Sequence, residues 1–143
     1  MISKLLFAWS LLALTVTIHA AGLAEVLQRM PSSSALLDTK LWPVTKLLIQ
    51  FAWWLVLLHL AEIAVWALFY WWQNCLPDME SSFYFSGVTY TTVGYGDLVL
   101  PKEWRLLGAV EGLTGILMCG LSTGFFFAVV SSMYASRAKG KEK

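Results

Sequence analysis

Charged residues and cysteines are scarce in this sequence. Only 13% of its 143 residues are charged and the formal net charge is +1, so the strong basic field typical of nucleic-acid binding proteins is absent. The two cysteines, Cys75 and Cys119, have neither paired-thiol nor metal-ligand spacing, and we expect free thiols. The polar segments hold no convergent nucleophile, base and stabiliser, which argues against an enzyme with a small-molecule substrate.

Apolar residues are abundant and are gathered into three long runs. The sequence is 58% hydrophobic and contains eight tryptophans. The runs extend from Leu5 to Ala24, from Leu47 to Trp72 and from Trp104 to Tyr134. Each reaches the ~20 residues that a helix needs to cross a bilayer. The composition therefore predicts an all-α membrane protein with three transmembrane helices.

A more polar, glycine-containing segment separates the second run from the third. Pro77, Asp78 and the following serines are helix-start signals, and they predict a short re-entrant helix over 79–91. The remaining boundaries place an N-terminal transmembrane helix at 1–27, a linker at 28–46, long helices at 47–72 and 104–134, and a basic tail at 135–143.

The distribution of lysine and arginine predicts the orientation, because cytoplasmic loops carry the excess of these residues. With the linker and the tail inside, seven such residues lie in the cytoplasm and three lie outside. The cytoplasmic set is Arg29, Lys40, Lys46, Arg137, Lys139, Lys141 and Lys143, and the outer set is Lys4, Lys102 and Arg105. This places the N-terminus outside and the C-terminus inside. A cleaved signal peptide or a surface helix remain alternatives for the first run.

The run Thr89–Asp97 follows the predicted short helix and contains two glycines at alternate positions, Gly94 and Gly96. A partly dehydrated cation in a membrane needs oxygen ligands, and backbone carbonyls supply them without buried fixed charges. Aiming successive carbonyls at one axis requires backbone conformations that favour glycine. One chain supplies one part of such a ring, so a symmetric oligomer is expected.

Thr92-Val93-Gly94-Tyr95-Gly96-Asp97 resembles, residue for residue, the filter signature of the potassium channel family. The looser resemblance covers 47–134 and implies a prokaryotic, pore-only channel with an extra N-terminal helix. It implies an outer helix (47–72), a pore helix (79–91), a filter (92–96) and an inner helix (104–134).

The same resemblance implies a homotetramer in the plasma (inner) membrane that passively conducts K⁺ and needs no cofactor. The ion would bind at Thr92, Val93, Gly94 and Tyr95, with Thr91 and Asp97 supporting the filter. Some family members carry an acidic residue four positions before the first filter threonine, where this chain has Val88. A cation channel that also passes Na⁺ and a non-conducting modulatory subunit are the alternatives.

Glycines recur in the third run, and two of them are candidates for a gating hinge. Gly115 lies near the position at which inner helices of the resembling family bend, and Gly120 is the second candidate. Pairs of glycines four residues apart also permit close helix packing, which is the simpler interpretation of Gly108 with Gly112 and of Gly120 with Gly124.

Ionisable residues inside membrane helices are costly, so His59, Glu62 and Glu111 are candidates for a polar cluster. Counting along the helices places both glutamates in the outer half of the membrane. The cluster would be a proton-sensitive latch or a static hydrogen-bonded clamp. We expect His19, alone on the first helix, to be a helix contact rather than a metal ligand. The basic tail is a candidate for contact with anionic lipid.

Overall fold

The computed structural model describes residues 2–29 and 41–141, and the regular structure in these ranges is helical. The helices are α1 (Ile2–Arg29), α2 (Leu41–Trp72), α3 (Met79–Tyr90) and α4 (Arg105–Lys141). Residues 30–40 of the predicted linker and 142–143 of the predicted tail, with Lys40 and Lys143, lie outside the described residues. The predicted all-α fold is confirmed for the described part of the chain.

Three of the helices are long and apolar enough to cross a membrane. These spans are Ile2–Arg29, Val44–Trp72 and Arg105–Ala135. The remaining helix, α3, has 12 residues, which at ~1.5 Å per residue covers about 18 Å and falls short of a ~30 Å hydrocarbon layer. The prediction of three membrane-spanning helices is confirmed.

Two helix ends differ from the predicted boundaries by more than two residues. Helix α2 begins at Leu41 rather than at 47, because Pro43 falls in its first turn, where a missing N–H group breaks no hydrogen bond. Helix α4 continues to Lys141 rather than ending at 134. The tail is rich in alanine, lysine and arginine, which are strong helix formers, so the helix extends beyond the apolar run.

Helix α1 packs against both α2 and α4, and buried apolar clusters lie at its two ends. Near its N-terminus, Ala8 and Leu11 join the cluster that contains Trp66 and Leu107. Near its C-terminus, Val26 joins a second cluster with side chains of α2 and α4. Helix α1 therefore runs antiparallel to α2 and parallel to α4, and it is part of the packed bundle.

Helix α3 packs against α2 and α4. The Phe85 ring meets the Tyr70 ring of α2 edge to face, with 5.4 Å between centroids. The Ser86 hydroxyl donates to the backbone carbonyl of Ile63 at 2.9 Å. These contacts fix the position of α3, and with it the start of the segment that follows.

Candidate functional site

The N-terminus of α3 is capped by the aspartate that the sequence marks as a helix start. Asp78 has an extended backbone, and its carboxylate accepts the backbone N–H of Ser81 at 2.6 Å. The Ser82 hydroxyl donates to the carbonyl of Asp78 at 2.9 Å. The cap satisfies N–H groups that a helix end leaves free and sets the residue at which α3 begins.

At the other end of α3 the chain leaves the helix at Thr91 and turns back along it. The N–H of Thr92 donates to the carbonyl of Thr89 at 3.0 Å, and the N–H of Gly94 donates to the carbonyl of Val88 at 3.0 Å. The Thr91 hydroxyl donates to the carbonyl of Gly87 at 2.7 Å. Backbone donors of the turn are thus satisfied by the last carbonyls of α3.

The residues after this turn alternate in backbone handedness. Thr92, Gly94 and Gly96 have φ values of 62°, 53° and 78°, whereas Val93 and Tyr95 are not in the positive-φ region. In an ordinary strand successive carbonyls point in opposite directions. Reversing the handedness at every second residue cancels that alternation, so successive carbonyls face one side. Glycine adopts this conformation freely, and Thr92 adopts it at a cost of about 1–2 kcal/mol.

Side chains of the Thr92–Gly96 segment have few contacts within the single chain. Tyr95 is 72% exposed and Val93 is 52% exposed. Phe85 of α3 does not cover them, because its ring packs on Tyr70 instead. Much of the Val93 and Tyr95 surface is therefore open in the single chain.

Asp97 follows the C-terminal end of the segment. Its carboxylate accepts a 2.7 Å hydrogen bond from the hydroxyl of Tyr84 on α3. This bond is the main reason that the pKa of Asp97 lies below its usual value, and it raises the pKa of Tyr84. The carboxylate is therefore ionised at neutral pH at the C-terminal end of the segment.

The glycines of α4 divide into two groups. A Cβ at Gly115 would overlap the backbone carbonyl of Tyr90, and a Cβ at Gly112 would lie 3.4 Å from the carbonyl of Thr89. Around Gly120 and Gly124 a Cβ would meet nothing within 4 Å. Gly115 thus permits close packing against the end of α3, whereas Gly120, the other hinge candidate, has no such neighbour within the chain.

A buried polar network lies behind the end of α3 and centres on Glu62, whose side chain is fully buried. Its carboxylate accepts a hydrogen bond from the Tyr90 hydroxyl and lies 2.8 Å from Nδ1 of His19. Nδ1 of His59 lies 3.0 Å from the Tyr90 hydroxyl and 3.6 Å from the carboxylate. The network thus joins α1, α2 and α3.

A second buried network centres on Glu111 of α4. Its carboxylate accepts from the Tyr70 hydroxyl at 2.8 Å and from the Ser86 hydroxyl at 2.5 Å. The predicted single cluster of His59, Glu62 and Glu111 is therefore divided, because Glu111 faces α2 and α3 with a separate set of donors. Tyr70, Ser86 and Tyr90 could not be recognised from the sequence, since buried hydroxyls in apolar runs carry no spacing signal.

Comparison with known protein families identifies a family for most of this region of the chain. Residues 53–132 match the model of a family described as "Ion channel", and the match covers more than half of the chain. The chain belongs to this ion channel family. Comparison with curated proteins and with solved structures finds no match.

The ion channel region begins within α2, includes α3 and the Thr92–Gly96 segment, and ends within α4. Helix α1 lies outside the matched region. It nevertheless supplies His19 to the Glu62 network, and Thr15, whose hydroxyl accepts the indole N–H of Trp66 at 3.1 Å. The N-terminal helix therefore adds polar partners to the channel region that the family match does not include.

Proposed function

We propose that the protein is a potassium-selective channel subunit whose ion path is lined by the backbone carbonyls of Thr92–Gly96. Membership of the ion channel family supports conduction, and the match of this segment to the potassium channel signature supports the choice of ion. The observation that carries the proposal is the alternating backbone handedness at Thr92, Gly94 and Gly96. A strand of this kind presents consecutive oxygens to one axis, which a dehydrated cation requires.

The carbonyls of Thr92, Val93, Gly94 and Tyr95 would coordinate K⁺, and the Thr92 hydroxyl would add a ring at the inner end. Neutral oxygens suit this task because they replace water without holding the ion as tightly as fixed charges would. Helix α3 ends where the segment begins, so the partial negative charge of its C-terminus, about half an electron, adds attraction for the cation.

A pore of this design needs more than one chain, and we assign it to a homotetramer. Tyr95 and Val93 are largely exposed in the single chain, and large apolar surfaces of this kind are buried when copies pack around a symmetry axis. Neighbouring subunits would supply the packing around Val93 and Tyr95 that one chain does not provide.

We place the tetramer in the plasma (inner) membrane, with the N-terminus outside and the C-terminus in the cytoplasm. The seven-to-three distribution of lysine and arginine supports this orientation. Asp97 then lies on the outer side, where a ring of four carboxylates would gather cations before they enter the pore. The basic C-terminal residues would meet anionic lipid of the inner leaflet.

Cation flux through the purified protein in liposomes tests this function. We expect K⁺ flux that barium blocks and little Na⁺ flux. Equal K⁺ and Na⁺ flux would favour a cation channel without selectivity. An intact oligomer that passes neither ion would favour a non-conducting modulatory subunit.

Two glycine variants give the flux assay a matched control. A Cβ would meet nothing within 4 Å at either Gly94 or Gly87, but only Gly94 has positive φ. Gly94→Ala should therefore abolish selective K⁺ flux because an L side chain resists this conformation. Gly87→Ala should leave the flux unchanged. Equal flux in the two variants would contradict the role assigned to the alternating backbone.

A further inference from the structure

Two histidines and one glutamate from α1 and α2 converge behind the end of α3. Potential ligand atoms of His19, His59 and Glu62 all lie within 4.8 Å of one another. The side chains of His19 and Glu62 are 1% and 0% exposed, and the side chain of His59 is 20% exposed. Imidazole nitrogens and a carboxylate are all ligands that transition-metal ions accept, and here two helices bring three of them together.

The spacing of these donors suits a tetrahedral metal ion. Ligands about 2.0–2.1 Å from zinc lie about 3.3 Å apart from each other in a tetrahedral site. The Oε1 atom of Glu62 lies 2.8 Å from Nδ1 of His19, and its Oε2 atom lies 3.6 Å from Nδ1 of His59. All three residues offer ligand atoms within 4.8 Å of one another, so small side-chain movements would bring both imidazoles and one carboxylate oxygen to a single ion.

The surroundings of His19 resemble the outer shell of a metal site. With Nδ1 facing Glu62, Nε2 of His19 lies 3.3 Å from the hydroxyl of Ser122 on α4. Metal-binding histidines usually donate their second ring N–H to an oxygen, which fixes the tautomer and the ring orientation. The Tyr90 hydroxyl hydrogen-bonds both Glu62 and His59, so it adds a further oxygen beside the same three side chains.

His59 also gives the donors an approach from outside. It lines an open cavity of about 330 Å³ between α2 and α4, together with Cys119, Ser122 and Thr123. Most of this lining is apolar, and His59 supplies it with a potential metal ligand next to the buried His19 and Glu62. Two imidazoles and one carboxylate favour zinc-like ions over Mg²⁺ or Ca²⁺, which prefer oxygen ligands.

We propose that His19, His59 and Glu62 form a binding site for Zn²⁺ or a similar divalent transition-metal ion, one site in each chain. This site is separate from the Thr92–Gly96 segment and goes beyond ion conduction. Its formation needs α1, the helix that lies outside the ion channel match.

Metal binding by the purified full-length protein tests the site without any assay of conduction. After treatment with a chelator, the protein is incubated with Zn²⁺, separated from free metal and analysed by elemental mass spectrometry. Competition with a fluorescent zinc chelator then gives the affinity. We expect one Zn²⁺ per chain and no displacement by a large excess of Mg²⁺. A correctly folded oligomer that retains no stoichiometric Zn²⁺ would overturn the proposal.

Substitutions identify the ligands. His59→Gln is the main variant because the partly exposed His59 tolerates replacement better than the buried His19. It should lower Zn²⁺ affinity at least tenfold, as should Glu62→Gln, because each removes one ligand. Glu25→Gln, which changes an exposed α1 carboxylate paired with Arg29, should leave affinity unchanged. Unaltered affinity in both His59→Gln and Glu62→Gln would refute the site.

Cys119 needs its own control because a thiol near the cavity is also a metal ligand. Cys119→Ser should retain Zn²⁺ binding, and the Co²⁺-loaded wild-type protein should lack a thiolate charge-transfer band. Loss of binding in Cys119→Ser, or a strong thiolate band, would contradict the proposed ligand set. Circular dichroism and size-exclusion chromatography confirm that each variant is folded and assembled.

Discussion

The two buried glutamates and the Thr92–Gly96 segment differ in how much of their environment one chain supplies. Glu62 and Glu111 are fully buried, and each has partners from other helices of the same chain. Among the described residues, no buried side-chain nitrogen or oxygen lacks a hydrogen-bond partner. The Thr92–Gly96 segment is exposed throughout, and three of its residues have positive φ.

This difference shows which part of the structure each chain completes alone. The Glu62 and Glu111 networks are complete within one chain, so their hydrogen bonds compensate for the desolvation of the buried polar groups. The Thr92–Gly96 segment has its supporting hydrogen bonds on one side only, which leaves the other side for ions and for neighbouring copies. The following variants compare the contacts that one chain completes by itself with the Thr92–Gly96 segment, in order from the largest expected effect to the smallest.

The junction of α4 with the end of α3 should be the most sensitive position. In Gly115→Ala the new Cβ overlaps the backbone carbonyl of Tyr90, which cannot rotate away. We expect a loss of stability of at least about 3 kcal/mol, at the upper end of overpacking effects. Thermal unfolding of the detergent-solubilised oligomer measures this loss.

Gly120→Ala is the matched control, because a Cβ there meets nothing within 4 Å. Alanine is the better helix former by about 0.5–1 kcal/mol, so this variant should be as stable as the wild type or slightly more stable. If Gly120 is a gating hinge, the variant should also lower the open probability in single-channel recordings. Equal stability losses in the two variants would contradict the packing role of Gly115.

The Glu111 network should give the next largest effect. Glu111→Ala leaves the Tyr70 hydroxyl without its acceptor and opens a cavity between α2, α3 and α4. We expect a loss of about 2–3 kcal/mol in unfolding free energy. The exposed residue Glu103 provides the control, since Glu103→Ala should change stability by no more than about 0.5 kcal/mol. A Glu111→Ala protein as stable as the Glu103→Ala protein would show that the network contributes nothing.

The smallest effect should come from Asp97, at the C-terminal end of the segment. The Tyr84 hydrogen bond lowers the pKa of Asp97 in the folded protein. The ionised Asp97 therefore contributes to folding stability above pH 3.8, the ordinary aspartate pKa, and this contribution is lost as the pH falls through the lower pKa of the folded state. Tyr84→Phe removes this donor, and the pKa of Asp97 should rise towards 3.8. Carbon NMR titration of the Asp97 carboxyl group measures the shift.

Tyr134→Phe changes an exposed tyrosine near the end of α4 and should leave that titration unchanged. If Asp97 titrates identically in the Tyr84→Phe protein and the wild type, the hydrogen bond does not determine its ionisation.

Local signals in the sequence predict much of the fold. Three apolar runs of sufficient length predict the membrane spans, and Asp78 predicts the start of α3 because its cap depends only on neighbouring residues. The Thr92–Gly96 motif is equally local, since its glycines stand where positive φ is needed. Family membership as an ion channel is confirmed, and the choice of ion stays a prediction.

Contacts between helices could not be predicted in the same way. Helix α2 is apolar on nearly every side, so its sequence does not indicate which face packs inward. Counting residues along the helices predicts similar depths for Glu62 and Glu111, but it does not indicate how each helix is rotated about its axis. In the structure the two glutamates have separate hydrogen-bond partners. For the same reason the sequence did not predict the contact between His19 and Glu62, which lie 43 positions apart in the chain.

The reversal potential of the reconstituted channel in a planar bilayer shows whether the Thr92–Gly96 segment conducts K⁺ selectively. With K⁺ gradients in a constant Na⁺ background, we expect a reversal potential that follows K⁺ by about 59 mV for each tenfold change at 25 °C, as for any monovalent charge. A reversal potential that stays near zero with K⁺ on one side and an equal concentration of Na⁺ on the other would contradict it.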